Sequence, residues 1–253
     1  MRILAPLLPR AAALILVSSL LWPMLARPAA ADEFTPAQRA EIVRILREAL
    51  KQDPSILRDA VEVMKQDDSQ HDAEAASAAI AAHHDVMVTP DDPVGGNKDG
   101  SVTIVEFYDT QCLYCRQMEP TMAQLLRQDH TVRLVYKDLP ILGPESVLTA
   151  RALLAAQKQG GYEKLRTALM QAPGDETKEQ ILAIARKLGL DDARLGRDMG
   201  DPAIATRLHA NLHLASALGI DATPALVIGD TLLPGAVELT ELEQAIAAAR
   251  APR

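Results

Sequence analysis

Cys112 and Cys115 are the two cysteines of this 253-residue chain, and they stand as Cys112-Leu113-Tyr114-Cys115 shortly after Val102-Thr103-Ile104-Val105-Glu106-Phe107-Tyr108. The seven-residue run is rich in β-branched and aromatic side chains, which predicts a buried strand. Behind the cysteines, Met118, Met122 and Leu125 fall on one face of a predicted helix. A strand feeding a helix whose first turn begins with CxxC is an arrangement for dithiol chemistry. Cys112 at the helix N-terminus would feel the positive end of the macrodipole, which favours thiolate over thiol.

Other readings of the pair fit less well. A zinc site normally takes four ligands, and one CxxC supplies two of them. The six histidines (His71, His83, His84, His130, His209 and His213) offer no second paired motif at finger-like spacing. As a purely structural disulfide the pair would close a four-residue loop, worth only about 2 kcal/mol in the chain-entropy account, against ~3 for fifteen residues. Two inert buried thiols would not need the strand–CxxC–helix setting. His209 and His213, at i,i+4, could share a metal but have no nearby carboxylate or thiolate pair, so they read as a helix surface; no metal or other cofactor is expected.

The N-terminus bears on the compartment. Arg2 and Arg10 precede Ala11–Trp22, an apolar run too short to span a membrane, and Ala29-Ala30-Ala31 supplies an A-x-A cleavage site before Asp32. Residues 1–31 are therefore expected to be a signal peptide and 32–253 a periplasmic product. Losing Arg2, Arg10 and Arg27 takes the formal net charge from −8 to −11. That acidity argues against nucleic acid or anionic lipid as partner. No later segment is apolar enough to insert stably in a membrane. An oxidising compartment would pair stray thiols, so a lone CxxC there reads as a tool.

Residues 32–84 read as helical. Thr35-Pro36 is an N-cap followed by N1, with Ile42, Val43, Ile45, Leu46, Ala49 and Leu50 behind it, and Asp53-Pro54 repeats the start signal before Ile56, Leu57, Ala60, Val61 and Met64. Such stripes cannot bury themselves on a segment this small, so self-association into a homotrimer or homodimer is expected. From Asp85 the pattern changes. Val86-Met87-Val88 is a candidate strand, Thr89–Gly100 a loop, 102–108 a strand, then the CxxC helix with a kink at Pro120, and 132–136 a strand. Residues of about 141–218 show helical periodicity, broken at Gly160-Gly161, Pro173-Gly174, Gly189, Gly200 and Pro202. Ala225–Ile228 and Thr231–Leu233 flank Gly229-Asp230 as a hairpin, and Glu238–Arg250 closes as a helix. The order β–β–α–β–(helices)–β–β–α predicts an α/β, thioredoxin-like fold over 85–253 with a helical insertion.

Two motifs then carry a family. Glu106-Phe-Tyr-Asp-Thr-Gln-Cys112-Leu-Tyr-Cys115 and Asp221-Ala-Thr223-Pro224-Ala-Leu-Val-Ile-Gly229 together resemble the DsbA-like thiol–disulfide oxidoreductases. The N-terminal helices resemble the ScsC-type branch, in which such helices drive trimer formation in some members. The resemblance implies that Cys112 is the nucleophile and Cys115 the resolving thiol, the two forming a reversible disulfide. It implies that Leu113, Tyr114 and a cis Thr223-Pro224 turn meet the substrate, and that Glu106 moves the proton of Cys115. Glu119 and Lys137 fall where the family has charged neighbours of that carboxylate. Cysteine-containing exported proteins are the implied substrates, with a redox partner resetting the site.

The dipeptide between the cysteines departs from the family, which commonly has Pro-His or Pro-Tyr where this chain has Leu113-Tyr114. Losing His removes one stabiliser of the Cys112 thiolate, and losing Pro loosens the first turn. Dithiol proteins of this kind span about −270 to −120 mV, so CxxC leaves open whether the pair oxidises, reduces or isomerises. A dedicated oligomer-forming segment favours the isomerase version. The rival from another class is a soft-metal module in which the two thiolates hold Cu(I), with a role in copper tolerance.

Overall fold

The computed structural model describes residues 34–174 and 176–251. The signal peptide expected over 1–31 and its cleavage after Ala31 lie outside them. The chain divides into two compact units, the first ending at Val61 and the second running from Glu62. In the first, α1 (Pro36–Gln52) starts on a complete capping box. The Thr35 hydroxyl accepts from Gln38 N–H at 3.3 Å, and Gln38 Oε1 accepts from Thr35 N–H at 2.9 Å, which satisfies two orphan donors of the first turn. Asp53 Oδ1 accepts from Ser55 N–H at 3.0 Å where α2 (Ser55–Ala82) begins. The apolar stripes of both helices are open: Ile45, Leu46, Leu57, Val63 and Met64 are all exposed.

The second unit is built on a five-stranded sheet. Its strands are β1 (Val94–Gly96), β2 (Val102–Tyr108), β3 (Val132–Asp138), β4 (Ala225–Ile228) and β5 (Thr231–Pro234). The spatial order is β1-β3-β2-β4-β5, with β2 and β3 parallel and the other pairs antiparallel. Parallel β2 and β3 require a crossover, and α4 (Leu113–Gln128) provides it, with Met118, Met122 and Leu125 buried. Pro120 sits inside α4 without ending it. The insertion is five helices: α5 (Pro144–Gln157), α6 (Tyr162–Gln171), α7 (Lys178–Lys187), α8 (Asp192–Asp198) and α9 (Pro202–Ala217). The breaks fall at the expected glycines; Gly160 and Gly189 have φ of 69° and 81°, a left-handed geometry glycine adopts freely. α10 (Leu239–Arg250) closes the chain.

Strand alternation sorts the core into two layers. Ile104, Tyr108, Leu134, Tyr136, Leu226 and Ile228 face α4, α10 and most of the insertion. Val105, Phe107, Val135, Ala225 and Val227 face the other way, against Ile80 of α2, Met87, and Leu214 near the end of α9.

The expectation of a strand at Val86–Val88 is overturned. His84–Met87 forms the single helical turn α3, with Val86 exposed and Met87 buried against the sheet. The first strand lies instead at Val94–Gly96, inside the predicted loop, pairing Gly95 with Leu134 of β3. Glycine is a poor strand former, yet this strand needs it. A Cβ on Gly95 would lie 2.7 Å from the Tyr136 hydroxyl and 2.9 Å from Glu163 Oε1, so any larger residue would have to displace both side chains.

Candidate redox site

Tyr108 ends β2, Asp109–Gln111 turn, and Cys112 caps the N-terminus of α4 with extended backbone at φ −75° and ψ 120°. Asp109, almost fully buried, fixes this turn. Its Oδ1 accepts from Gln111 N–H at 2.9 Å, and its Oδ2 accepts from Ile141 N–H at 3.0 Å and Leu142 N–H at 3.3 Å. One carboxylate thus ties the lead into the cysteines to the loop after β3.

Both thiols are free. Cys115 is fully buried, and Cys112 is itself only 6% exposed, less open than the sequence suggests. The chain before β4 covers it. The Cys112 thiol donates to the Thr223 carbonyl at 3.1 Å, and the Thr223–Pro224 peptide bond is cis. Leu113 and Tyr114 are instead 62% and 61% exposed and form the rim. The two cysteines are electrostatically unlike. A hydrogen bond from Cys115 lowers the Cys112 pKa to about 5; burial opposes this, while the Thr223 side chain and the N–H groups of Cys115 and Tyr114 assist. Cys115 moves strongly upward through the same hydrogen bond between the two side chains and through burial.

Glu106 lies in β2, 1% exposed, and burial raises its pKa to about 7, against the pull of Arg166 and with a push from Glu119. Its negative charge contributes to the upward shift of Cys115. Arg166 of α6, equally buried, reaches Glu106 Oε2 at 3.3 Å and holds Glu119 in a fork, with Nη2–Oε1 at 2.5 Å and Nη1–Oε2 at 3.0 Å. The guanidinium lies over the rings of Tyr108 and Tyr136, at 4.5 and 4.4 Å from their centroids, where the two rings meet edge to face, a favourable setting for a desolvated cation.

Of the two charged neighbours implied by resemblance, Glu119 belongs to this cluster and Lys137 does not. The β2–β3 register sets Glu106 beside Tyr136 and Phe107 beside Lys137, so alternation sends Lys137 to the opposite face. There it pairs with Asp92 at 2.7 Å. Arg166 is the residue sequence reasoning missed. A signal existed: Tyr162, Leu165, Arg166 and Leu169 follow the i, i+3, i+4, i+7 pattern of a buried face, and all four are buried. An arginine inside an apolar stripe implies a buried partner.

Among the described residues, no cluster of three or more His, Cys, Asp or Glu side chains is arranged to hold a metal ion, and His209 and His213 belong to α9, away from the cysteine pair in sequence and element.

A family profile described as thioredoxin matches residues 88–248. Among solved structures, a thioredoxin-like oxidoreductase from Silicibacter pomeroyi DSS-3 is 43% identical with a TM-score of 0.63, covering 65% of this chain and 95% of that one. A linker-deletion mutant of Proteus mirabilis ScsC is 28% identical with a TM-score of 0.63, covering 87% of this chain and 98% of that one. The thiol-disulfide exchange protein α-DsbA2 from Wolbachia pipientis is 27% identical with a TM-score of 0.65, covering 70% and 96%. Among curated proteins, Na(+)/H(+) antiporter NhaA 1 of Salinispora arenicola (strain CNS-205) is 30% identical over 167 residues, 65% of this chain and 26% of that protein. The chain spans about a quarter of the length of the curated relatives it matches. No helix among its described residues is long and apolar enough to cross a membrane.

Proposed function

This chain belongs to the thioredoxin family, in its DsbA-like, ScsC-type branch, and on that premise we propose that it is an exported, periplasmic thiol–disulfide oxidoreductase that rearranges disulfides in other proteins. The observation that carries the reading is the asymmetry of the pair. Cys112, with its pKa lowered to about 5, is a thiolate at neutral pH, while buried Cys115 stays protonated.

In the reducing direction the Cys112 thiolate attacks one sulfur of a substrate disulfide, and the other sulfur leaves with the bonding electrons. Cys115 then gives up its proton and attacks Cys112 Sγ. The substrate's second sulfur leaves, and the Cys112–Cys115 disulfide forms. Oxidation of a substrate is the same sequence reversed. Ionising Cys112 removes the S–H donated to the Thr223 carbonyl, which frees that acceptor for a backbone N–H of an extended substrate segment. Leu113 and Tyr114, exposed beside it, supply apolar contact. The open stripes of α1 and α2 support self-association, which would bring several pairs together and favours isomerisation over one-way oxidation.

The deciding experiment measures the reduction potential of the Cys112–Cys115 pair and the recovery of activity by a scrambled multi-disulfide protein. A potential near the reducing end of the thioredoxin-to-DsbA range with recovery of the scrambled substrate supports isomerase; a potential near −120 mV without recovery makes the protein an oxidase. Absence of any exchange with dithiols, together with stoichiometric Cu(I) binding, would replace the reading by soft-metal binding.

A further inference from the structure

We propose that Arg166, contributed by the helical insertion, is the positioning residue that keeps Glu106 available as proton acceptor for Cys115, and that Glu119 regulates it by competing for the same guanidinium. The proposal rests on the dithiol-exchange reading above.

One cation here serves two carboxylates. Nη2 of Arg166 is shared, at 2.5 Å from Glu119 and 3.3 Å from Glu106, and Nη1 goes to Glu119 alone. Glu119 is partly open to solvent, whereas Glu106 is sealed. The remaining titratable groups around Glu106 are Cys115 on α4, Tyr108 on β2 and Tyr136 on β3. Asp138 accepts from the hydroxyls of Tyr108 and Tyr162, each at 3.0 Å, and also feels the Arg166 charge. Glu163 acts on Tyr136 from the outside, and Lys137 is on the other face.

The cluster is a poor device for stability alone. An apolar replacement of a buried ion pair is often neutral or stabilising, and Arg166 Nε is buried with no hydrogen-bond partner. What the geometry achieves is intermediate proton affinity. Without a cation, a carboxyl buried to this degree stays protonated and cannot accept. With an undivided cation it stays ionised and holds no proton. Burial raises Glu106 to about 7, against the pull of the shared Arg166 and with the push of Glu119, so both protonation states are within reach. In the resolving step the Cys115 proton passes to the Glu106 carboxylate and the new thiolate attacks Cys112 Sγ. The substrate thiolate departs and is protonated from solvent, and Glu106 later returns its proton to solvent.

The competition predicts shifts of opposite sign, which general damage to packing would not produce. Reduced full-length protein is mixed with excess Ellman's reagent, whose aryl disulfide is attacked first by Cys112 and then displaced by Cys115. The second burst of thiolate is followed across pH. Glu119→Gln, which hands the whole guanidinium to Glu106, is expected to lower the midpoint of the second phase by about one unit, a tenfold rate change on the acidic limb. Arg166→Met is expected to raise it, with Arg166→Lys in between. An infrared carboxyl band absent from Glu106→Gln should shift in parallel. If Arg166→Met does not fold, Glu119→Gln decides alone. An unmoved midpoint, or shifts of the same sign, overturns the proposal; a wild-type protein with no second phase overturns the exchange reading itself.

Discussion

Lys137 Nζ lies 2.7 Å from Asp92 Oδ2 beneath the sheet, with the two side chains 3% and 2% exposed. Asp92 also accepts from Thr89 N–H at 2.7 Å and meets Arg207 of α9 at 3.5 Å. One buried carboxylate therefore joins the segment before β1, the third strand and the last helix of the insertion. Removing one member of a buried pair strands the other, at a typical cost of about 3–5 kcal/mol. Lys137→Met should lose stability of that order in chemical denaturation, and Asp92→Asn combined with it should recover a large part. Dithiol exchange by the folded fraction should be unchanged, because the pair sits on the face opposite Glu106. A loss below about 1 kcal/mol in the single variant would mean water or Arg207 replaces the lysine.

The thiol asymmetry gives a second test. Alkylation of Cys112 should follow a midpoint near pH 5, while Cys115, measured in a Cys112→Ala background that keeps burial and Glu106 as the causes of its upward shift, should react far more slowly at neutral pH. The largest stabiliser of the Cys112 thiolate is the bond from Cys115, and the Thr223 side chain ranks below it. Cys115→Ala should therefore raise the Cys112 midpoint more than Thr223→Val does. The reverse order would remove Cys115 from its assigned role as donor to the thiolate. Cys115→Ala should also accumulate mixed disulfides with substrate, since nothing is left to resolve them.

Two buried carboxyl groups give the fold a pH dependence with a definite sign. Burial raises Glu106 to about 7 and Asp138 to about 6, both above their unfolded values. The folded state then binds more protons than the unfolded chain between about pH 4 and 7, so stability is highest at the acidic end of that window and declines as pH rises through it. Above the folded pKa values the loss is complete and the curve flattens. Glu106→Gln should remove its share of the slope. Urea midpoints at pH 4.5, 5.5, 6.5 and 7.5 test this, and wild-type stability that climbs across the window would contradict it.

What was legible in the sequence was what is local. Residues 102–108 read as a strand because their composition is strongly β-forming, Thr35-Pro36 as a helix start because capping is a four-residue event, and Cys112-Leu-Tyr-Cys115 as the opening of a helix because both ends of the motif lie in one turn. The misses were set by distant partners. Gly95 is a strand residue because the β1 backbone pairs with β3 at Leu134, and no window around Gly95 contains that partner. Val86–Val88 has strand composition, but Val86 and Met87 end a helical turn with Met87 buried, and Val88 alone is extended, as its C-cap. Arg166 lies sixty positions from Glu106; only its place in an apolar stripe hinted that it was not a surface charge.

The stripes of α1 and α2 carry the last prediction, self-association of the intact protein. Ile45, Leu46 and Leu57 of the first unit are each more than half exposed, and grouped apolar exposure marks an interaction surface. Burying one such side chain contributes about 1.5–3 kcal/mol, and several together can exceed the roughly 4–15 kcal/mol cost of association. A truncation through Ala82 would be a poor probe, because Ile80 of α2 is buried in the lower core layer. Ile45→Glu combined with Leu57→Glu leaves that layer untouched. The wild-type chain lacking residues 1–31 should scatter light as a homotrimer at micromolar concentration, with the double variant monomeric, equally stable and still competent on small dithiols. On the proposed isomerase reading the variant should lose reactivation of scrambled substrates, because it no longer groups several sites around one axis. A dimer mass would keep self-association and reject the trimer, and a monomeric wild type would leave the stripes without the proposed role.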